Sequence, residues 1–284
     1  MPELATSSGC ALPAIDNASF ERLSKLLRDE TGIKLNESKR SLMVSRLGRR
    51  LRDLSLPGFA EYCHHLDGPD GAEEFRHMVS LLTTNVTRFF REPHHFRELQ
   101  DSVLPPLAEV ARRGGRVRIW SAGCSSGQEP CSIAMTFLQV MPNACEHDVR
   151  ILATDIDSVM IAKGKSGIYE YPADNGLSTE QIGSWLCPIP EKPNKYKVRE
   201  NVHSLITFAE LNLMHDWPMS GPFDIIFCRN TVIYFDPATQ AKLWPRFARL
   251  LRGGGHLFVG HSERVTGPAE ELLQSDGVTK YVRR

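Results

Sequence analysis

Residues 117–130 read Val-Arg-Ile-Trp-Ser-Ala-Gly-Cys-Ser-Ser-Gly-Gln-Glu-Pro, and this stretch carries the strongest indication of fold class. An apolar run of strand length is followed by a turn of small residues and by a helix with Pro130 in its first turn. Similar apolar runs occur at residues 150–154, 205–208, 223–228 and 256–260. Because apolar runs that alternate with helices are typical of a parallel sheet covered on both faces, we expect an α/β domain.

The N-terminal part of the chain shows a different period. From Phe20 to Leu82, apolar residues recur at the three- and four-residue spacing of amphipathic helices. Asn17 or Ser19 is expected to cap the first helix, and Gly32 is expected to end it. This part of the chain is therefore predicted to be helical throughout.

These two periods divide the chain into predicted segments. A helical domain spans residues 1–82, a linker with a connecting helix spans 83–114, and the α/β domain spans 115–284. Residues 186–204 contain three prolines and break the alternation of strands and helices. An inserted segment with a small hairpin is predicted there.

The composition is that of an ordinary globular chain. The 284 residues include 34 Lys+Arg and 34 Asp+Glu, so no overall charge draws the protein to nucleic acid or to a membrane surface. The start, MPELATSSGC, lacks the pattern of a signal peptide, and no apolar run approaches the roughly 20 residues needed to span a bilayer. The seven cysteines show no metal-ligand spacing. A cytoplasmic, metal-free monomer is expected.

Polar residues follow four of the predicted strands, where open α/β sheets bind their ligands. These residues are Ser121–Pro130, Asp155–Asp157, Glu210–Leu213 and Arg229–Phe235. The first turn has only Gly123 and Gly127, so the G-x-G-x-x-G fingerprint of a pyrophosphate site is absent, which makes a nicotinamide dehydrogenase a poor candidate. A tight connection between strand and helix is the alternative explanation of these glycines.

Asp155 stands where a ribose diol needs a carboxylate to accept hydrogen bonds from both of its hydroxyls. The alternative role for Asp155 is a helix N-cap, although Asp157 could serve that role instead. A glycine turn, an acidic second strand end and no phosphate fingerprint together favour a nucleoside ligand without phosphates. S-adenosylmethionine is the commonest ligand of this kind.

Several motifs, taken in order, resemble the CheR family of chemotaxis-receptor glutamate methyltransferases. They are Leu82-Thr-Thr-Asn-Val-Thr-Arg-Phe-Phe-Arg-Glu92, Gly127-Gln-Glu-Pro130, Ala153-Thr-Asp-Ile-Asp157, Phe227-Cys-Arg-Asn230 with Ile233-Tyr-Phe235, and Gly260-His-Ser-Glu263. The resemblance implies an all-helical N-terminal domain followed by a class I S-adenosylmethionine-dependent methyltransferase domain of Rossmann-like α/β fold. It also implies a small inserted antiparallel subdomain.

The resemblance also implies roles for particular residues. Cofactor contacts are expected at Asn85, Thr87, Arg91, Glu129, Asp155, Asn212, Leu213, Arg229 and Asn230, and the transfer step at Arg91 and Tyr234. Each has a simpler alternative: Asn85 and Thr87 could cap the linker, Arg91 could pair with Glu92 at the surface, and Tyr234 could be a core residue.

The implied reaction moves a methyl group from S-adenosylmethionine to a receptor glutamate, giving a glutamate methyl ester and S-adenosylhomocysteine for sensory adaptation. A glutamate side chain, with a pKa of about 4.3, is already ionised at neutral pH, so no general base is needed. Among the four strand ends only Cys124 offers a thiol or imidazole, and the flanking serines supply nothing that would activate it. Positioning is therefore expected to dominate catalysis.

A basic stripe in the helical domain is the candidate surface for the receptor. Arg46, Arg49 and Arg50 share one helical face by their spacing. A solvated face and a nucleic-acid patch are the alternatives, and the resemblance favours the acidic methylation helices of a receptor as the partner.

Three further expectations concern the mode of receptor binding and two rival functions. Residues 187–196 contain no glycine, unlike the glycine-rich turn of family members that dock a receptor C-terminal peptide, so a tether-independent enzyme is expected. Nucleic-acid amino-methyltransferases place a [DNS]-P-P-[YFW] turn after the fourth strand. This chain has Asn230-Thr-Val-Ile-Tyr234 there, without proline, so a nucleic-acid methyltransferase is disfavoured. A non-catalytic binding module is disfavoured because Arg91 and Tyr234 are both present.

Overall fold

The computed structural model describes residues 14–170 and 176–284. Residues 1–13, which include the segment inspected for a signal peptide, lie outside the described part of the chain. The chain divides into two compact units at the Thr83–Thr84 boundary.

From residue 14 onwards, the N-terminal unit is built from four α-helices. They are α1 (Asn17–Thr31), α2 (Arg40–Asp53), α3 (Phe59–Leu66) and α4 (Gly71–Leu82). Their apolar faces bury residues such as Phe20, Leu47 and Met78 at the predicted helical spacing. Asp16, and neither of the two predicted residues, caps α1 by accepting a hydrogen bond from the Ser19 N–H. Gly32 ends the helix as predicted, in a left-handed conformation with φ of 77°.

The C-terminal unit contains seven further helices and ten strands within the described residues. The helices are α5 (Pro93–Glu98), α6 (Leu104–Arg112), α7 (Gln128–Val140), α8 (Ser158–Ser166), α9 (Thr179–Trp185), α10 (Glu200–His203) and α11 (Pro237–Leu250). The strands are β1 (Val117–Ala122), β2 (Val149–Asp155), β3 (Ile168–Glu170), β4 (Leu186–Pro188), β5 (Lys195–Val198), β6 (Ile206–Glu210), β7 (Phe223–Cys228), β8 (Leu251–Val259), β9 (Leu273–Ser275) and β10 (Lys280–Arg283).

Seven strands form one mixed sheet in the order β6-β2-β1-β7-β8-β10-β9. The first five in this order are parallel, and β10 is antiparallel to both of its neighbours. In the centre, Ile119 of β1 lies opposite Ile151 on one side and Ile225 on the other. All six residues of β7 are buried, as expected for a strand covered by helices on both faces. The predicted α/β sheet is confirmed.

Three strands form a separate antiparallel sheet in the order β3-β5-β4. The predicted hairpin in residues 186–204 corresponds to β4 and β5. Its third strand, Ile168–Glu170, comes from an earlier part of the chain and pairs with β5. The small antiparallel sheet implied by the resemblance is therefore present.

Two features of the C-terminal unit were not expected from the sequence. After β8 the chain adds β9 and β10, short strands whose polar residues hide the strand pattern. The helix after Pro93 is interrupted by one π-helical segment, Leu99–Val103, between α5 and α6. Such segments widen a helix locally without ending it.

Candidate active site

The order of strands reverses between β1 and β7. From β1 the chain adds β2 and then β6 on one side, and from β7 it adds β8 on the other. At such a switch point the two connecting segments diverge and leave a crevice beyond the carboxyl ends of the strands. Because β1, β2, β6 and β7 are parallel, all four predicted polar segments lie at this same edge.

Asp155 ends β2 at this edge, with 8% of its surface exposed. Its Oδ2 accepts a hydrogen bond from the Ser125 N–H (2.7 Å), and its Oδ1 accepts one from the Asp157 N–H (2.9 Å). Burial raises the pKa of Asp155 to about 6, although these N–H groups oppose the shift. A carboxylate has about four acceptor positions, so each oxygen keeps capacity for a ligand hydroxyl.

Asp157 takes the helix-capping role that was the alternative for Asp155. Its Oδ1 accepts hydrogen bonds from the N–H groups of Val159 (3.0 Å) and Met160 (3.4 Å) in the first turn of α8. Its Oδ2 accepts a hydrogen bond from Asn85 Nδ2 (2.7 Å). Asp155 therefore contributes no cap, and Asn85 is held next to the first turn of α8.

The glycines of the turn after β1 are required by close packing. Gly123 and Gly127 have φ angles of 82° and 96°, in the left-handed region. A Cβ on Gly123 would lie 2.2 Å from Thr231 Oγ1, and one on Gly127 would lie 2.7 Å from the Tyr169 hydroxyl oxygen. The tight connection considered from the sequence thus explains both glycines.

Arg229 lies buried between two carboxylates, with 1% of its side chain exposed. Its Nη1 is 3.2 Å from Glu129 Oε2, and its Nη2 is 3.5 Å from Glu92 Oε2. Nη2 also donates a hydrogen bond to the carbonyl of Arg91. The Arg229 side chain therefore joins the segment before α5 to the first turn of α7.

The two carboxylates next to Arg229 respond differently to burial. Burial raises the pKa of Glu129, and Arg229 and the Ser121 hydroxyl offset this only in part. Burial also acts to raise the pKa of Glu92, but Arg229 and the hydrogen bonds from His261 outweigh it and lower that pKa. Burial is the largest cause at both carboxylates; Glu129 also meets the like charges of Glu92 and Glu263, whereas Glu92 accepts two hydrogen bonds from His261.

The other predicted positions lie on the segments around this edge. Arg91 Nη1 donates to the Val86 carbonyl (2.9 Å), and Thr87 between them is partly exposed. Asn212 Oδ1 accepts from the Met214 N–H (2.9 Å), and the carbonyl of Leu213 accepts from Arg246 Nη1 (2.6 Å). The contact between Arg246 and Leu213 fixes the loop after β6 against α11.

Asn230 and Tyr234 lie on the loop after β7. Asn230 has a φ of 56°, and its Nδ2 donates to Glu92 Oε1 (3.4 Å). Tyr234 is half-buried in a single helical turn, Val232–Tyr234, so it is no core residue. The position of this turn depends on Glu263, a residue to which the sequence reasoning gave no role.

Neither the Cys124 thiol nor the His95 imidazole is suited to serve as a general base here. Burial raises the pKa of Cys124 well above its ordinary value. Burial lowers the pKa of His95 to about 3, and His95 Nε2 lies 2.8 Å from the Thr279 hydroxyl oxygen. His261 follows β8 at the same edge, is two-thirds exposed, and contacts Glu92; from the sequence it was a motif residue without an assigned role.

One group of side chains has the composition of a metal site. Within the described residues, Glu92, His94 and His95 bring three potential ligand atoms within 4.8 Å of one another. Arg229 already places a positive charge 3.5 Å from the Glu92 carboxylate. Because a second cation would be repelled there, we assign no metal to this group.

The three arginines of the basic stripe have different surroundings in the N-terminal unit. Arg50 binds Glu74 with Nε 3.1 Å from both carboxylate oxygens, and Glu74 is only 2% exposed. Arg46 Nη1 donates to the carbonyls at the end of α4, including that of Thr83 (2.6 Å). Arg49 is exposed. Two of the three side chains therefore make intramolecular contacts.

Among the helices that the structure describes, none combines the length and apolar character that a membrane span requires.

Comparison with known proteins identifies both units. Residues 18–83 match the family model described as "CheR methyltransferase, all-alpha domain", and residues 85–282 match "CheR methyltransferase, SAM binding domain".

Similar whole proteins carry a consistent name. A protein of Rhizobium etli named "Probable chemotaxis protein methyltransferase" is 51% identical over 90% of this chain and 96% of its own. The "Chemotaxis protein methyltransferase" of Escherichia coli is 40% identical over 88% of this chain and 85% of its own. "Chemotaxis protein methyltransferase 2" of Pseudomonas aeruginosa is also 40% identical, over 92% and 91%. The chain therefore belongs to the CheR family of S-adenosylmethionine-dependent methyltransferases.

Proposed function

We propose that this enzyme methylates the side-chain carboxylate of glutamates in chemoreceptors, for sensory adaptation. The products are a glutamate methyl ester and S-adenosylhomocysteine. The observation that carries the proposal is the match to relatives named chemotaxis protein methyltransferase along 85% or more of their own length. The proposal thus extends to both units of the chain.

The active-site chemistry agrees with an ionised nucleophile. When bound, S-adenosylmethionine supplies a methyl group activated by its sulfonium centre. A glutamate needs no deprotonation near neutral pH, and the raised pKa of Cys124 and lowered pKa of His95 make those two side chains poor bases. Arg91 would orient the incoming carboxylate with the N–H groups that it does not use on Val86.

Arg91 has to orient the nucleophile without holding it too strongly. The carboxylate loses negative charge as the new bond forms, so a tight clamp on the anion would slow the step. Tyr234, on the turn after β7, would fix the geometry of transfer through its hydroxyl.

Cofactor binding is assigned to the edge at the switch point. The buried Asp155 carboxylate has acceptor capacity on both oxygens and no Lys or Arg among its hydrogen-bond donors in the described residues, which suits a pair of ribose hydroxyls. We assign further contacts to the same edge, at Asn85, Thr87, Arg91, Glu129, Asn212, Leu213, Arg229 and Asn230. For Arg229 the assignment concerns the backbone, because its guanidinium is bound to Glu129 and Glu92.

Receptor recognition is assigned to the N-terminal unit. Arg46, Arg49 and Arg50 would face the acidic methylation helices of the receptor, and Arg49 is the most accessible of the three. We further propose that the enzyme works in the cytoplasm as a monomer. The β4–β5 turn lacks glycine, which favours an enzyme that binds its receptor without a C-terminal tether peptide.

The test is methyl transfer from labelled S-adenosylmethionine in the presence of receptor-containing membranes or of nucleic acid. We expect label on the receptor that mild base releases as methanol, because glutamate methyl esters hydrolyse under such conditions. Receptors with glutamine at the methylated positions serve as the control and should stay unlabelled. Label on nucleic acid, or label on protein that resists base, would contradict the proposal.

A further inference from the structure

Glu263 is a buried carboxylate surrounded by backbone N–H groups. Only 3% of its surface is exposed. Its Oε1 accepts hydrogen bonds from the N–H groups of Thr231 (2.9 Å), Val232 (2.9 Å) and Ile233 (3.3 Å), and its Oε2 accepts them from Asn230 (2.9 Å) and Gly260 (2.6 Å). Four of these five donors are consecutive residues of the loop after β7.

The position of Glu263 leaves little room for the loop to move. A Cβ on Gly260 would lie 2.7 Å from Asn230 Nδ2 and 2.8 Å from Glu263 Oε2. The loops after β7 and β8 therefore approach each other as closely as a glycine allows. This packing is a second observation, independent of the hydrogen bonds, that joins Glu263 to the loop after β7.

The four N–H groups lead directly into the turn that carries Tyr234. The turn covers Val232–Tyr234, and Asn230 before it has a φ of 56°, a left-handed conformation that asparagine adopts more readily than most other residues with a side chain. The hydrogen bonds that the N–H groups of residues 230–233 donate to the Glu263 carboxylate hold this backbone in place. Without these hydrogen bonds, the loop could relax, and Tyr234 would move from the position proposed for it in methyl transfer.

We propose that Glu263 is a positioning residue for methyl transfer, acting through the turn that carries Tyr234. The inference rests on the role proposed above for Tyr234. Glu263 touches neither cofactor nor substrate in this assignment; its carboxylate holds the backbone that presents the tyrosine.

The chemistry of the contact requires a carboxylate. Each oxygen meets at least two N–H donors, so both must be acceptors. A glutamine of the same size would turn its own NH₂ group towards backbone N–H groups at one of the two positions. Glu263→Gln should therefore disturb the loop despite its similar shape.

The experiment is a double-mutant cycle between Glu263→Gln and Tyr234→Phe, with kcat for receptor methylation as the readout. Glu263→Gln alone should lower kcat by about 10- to 100-fold, as expected for a misplaced catalytic group. In the Tyr234→Phe background the same change should have a much smaller effect, because the two residues act through one element. Ser262→Ala, an exposed neighbour, is the matched control and should retain wild-type kcat.

The outcomes separate this inference from the proposed function. If Tyr234→Phe lowers kcat but Glu263→Gln has its full effect in both backgrounds, the inference is overturned while the role of Tyr234 stands. If Tyr234→Phe leaves kcat unchanged, the proposed role of Tyr234 is wrong, and the inference about Glu263 that rests on it is wrong as well.

A folding defect is distinguished with Glu263→Asp, which keeps the charge and should recover part of the lost rate. Equal losses of kcat in the Asp and Gln variants, with equally lowered thermal midpoints, would mean that Glu263 supports only the fold, and would overturn the inference.

Discussion

Asp155 Oδ2 accepts a hydrogen bond from the backbone N–H of Ser125 over 2.7 Å, which joins the end of β2 to the turn after β1. The same carboxylate is buried, and no Lys or Arg is among its hydrogen-bond donors in the described chain. Burial without a cation explains why its pKa rises to about 6. The protonation state of this residue should therefore change within the pH range of ordinary assays.

Affinity for S-adenosylmethionine should depend on pH through Asp155. The ionised carboxylate is the better acceptor for ribose hydroxyls, so binding should lower its pKa and release protons near pH 6. Kd should be constant above about pH 7 and rise as the pH falls to about 5, by up to about tenfold. Calorimetric titration across this range measures it. The Asp155→Asn variant should bind S-adenosylmethionine more weakly, and its Kd should not depend on pH. If the Kd of this variant changes with pH as it does in the wild type, another group is responsible for the pH dependence.

Arg50→Ala should destabilise the N-terminal unit. Glu74 is 2% exposed and, among the described residues, would keep the Tyr62 hydroxyl (2.8 Å) as its one hydrogen-bonding side-chain partner. Loss of one member of a buried ion pair is strongly destabilising, and we expect about 2–4 kcal/mol here. Hydrogen exchange in α2 and α4 should rise accordingly. Arg49→Ala, at an exposed neighbouring position, is the control and should leave exchange unchanged. Equal exchange in the two variants would refute this.

The Arg50–Glu74 pair should also weaken in acid. Burial acts to raise the pKa of Glu74, but the hydrogen bonds from Arg50 and Tyr62 outweigh it, and the net shift is downwards. A lowered folded-state pKa gives stability that is present above the unfolded value of about 4.3 and lost as the pH falls below it. The free energy of unfolding of the wild type should fall in this window, and Arg50→Ala should show a smaller fall.

Arg229→Met should destabilise the C-terminal unit by about 3–5 kcal/mol, because Glu92 and Glu129 would be left buried without their cation. Urea denaturation measures the loss. The double variant with Glu129→Gln should recover a part of it, since one of the two unpaired charges is removed. Arg97→Ala, an exposed arginine on α5, should have little effect. If the Arg229→Met and Arg97→Ala variants have equal free energies of unfolding, the ion pairs of Arg229 with Glu92 and Glu129 contribute nothing to stability.

Arg91→Ala should lower kcat for receptor methylation by about 100-fold, with a smaller change in the Kd of S-adenosylmethionine. Arg91→Lys should restore only part of the rate because an ammonium group lacks the planar donors of a guanidinium. Arg97→Ala again serves as the control. A loss confined to cofactor affinity would make Arg91 a cofactor-binding residue with no part in orienting the glutamate.

The sequence was sufficient for the parts of the fold that depend on local patterns. The strands β1, β2, β6 and β7 contain the apolar segments of strand length that predicted the parallel sheet. The strands β9 and β10 have three and four residues, and they are held by pairing of β10 with β8 and of β9 with β10, so no local pattern marks them.

The contacts that organise the candidate site join residues far apart in the chain. Glu263 binds N–H groups about thirty residues earlier, and Arg50 finds Glu74 on another helix. A charged residue in the sequence does not reveal whether its partner is water or a buried group brought near by folding. For this reason the stripe containing Arg50 looked entirely solvent-facing, and Glu263 remained a motif residue without a role.

The most direct test of this account is a crystal structure of the enzyme with S-adenosylhomocysteine. We predict that the nucleoside lies at the carboxyl ends of β1, β2 and β7, with both ribose hydroxyls within about 2.6–3.2 Å of Asp155 oxygens. A nucleoside bound away from this edge, or an Asp155 that contacts only the N–H groups of Ser125 and Asp157 in the complex, would contradict it.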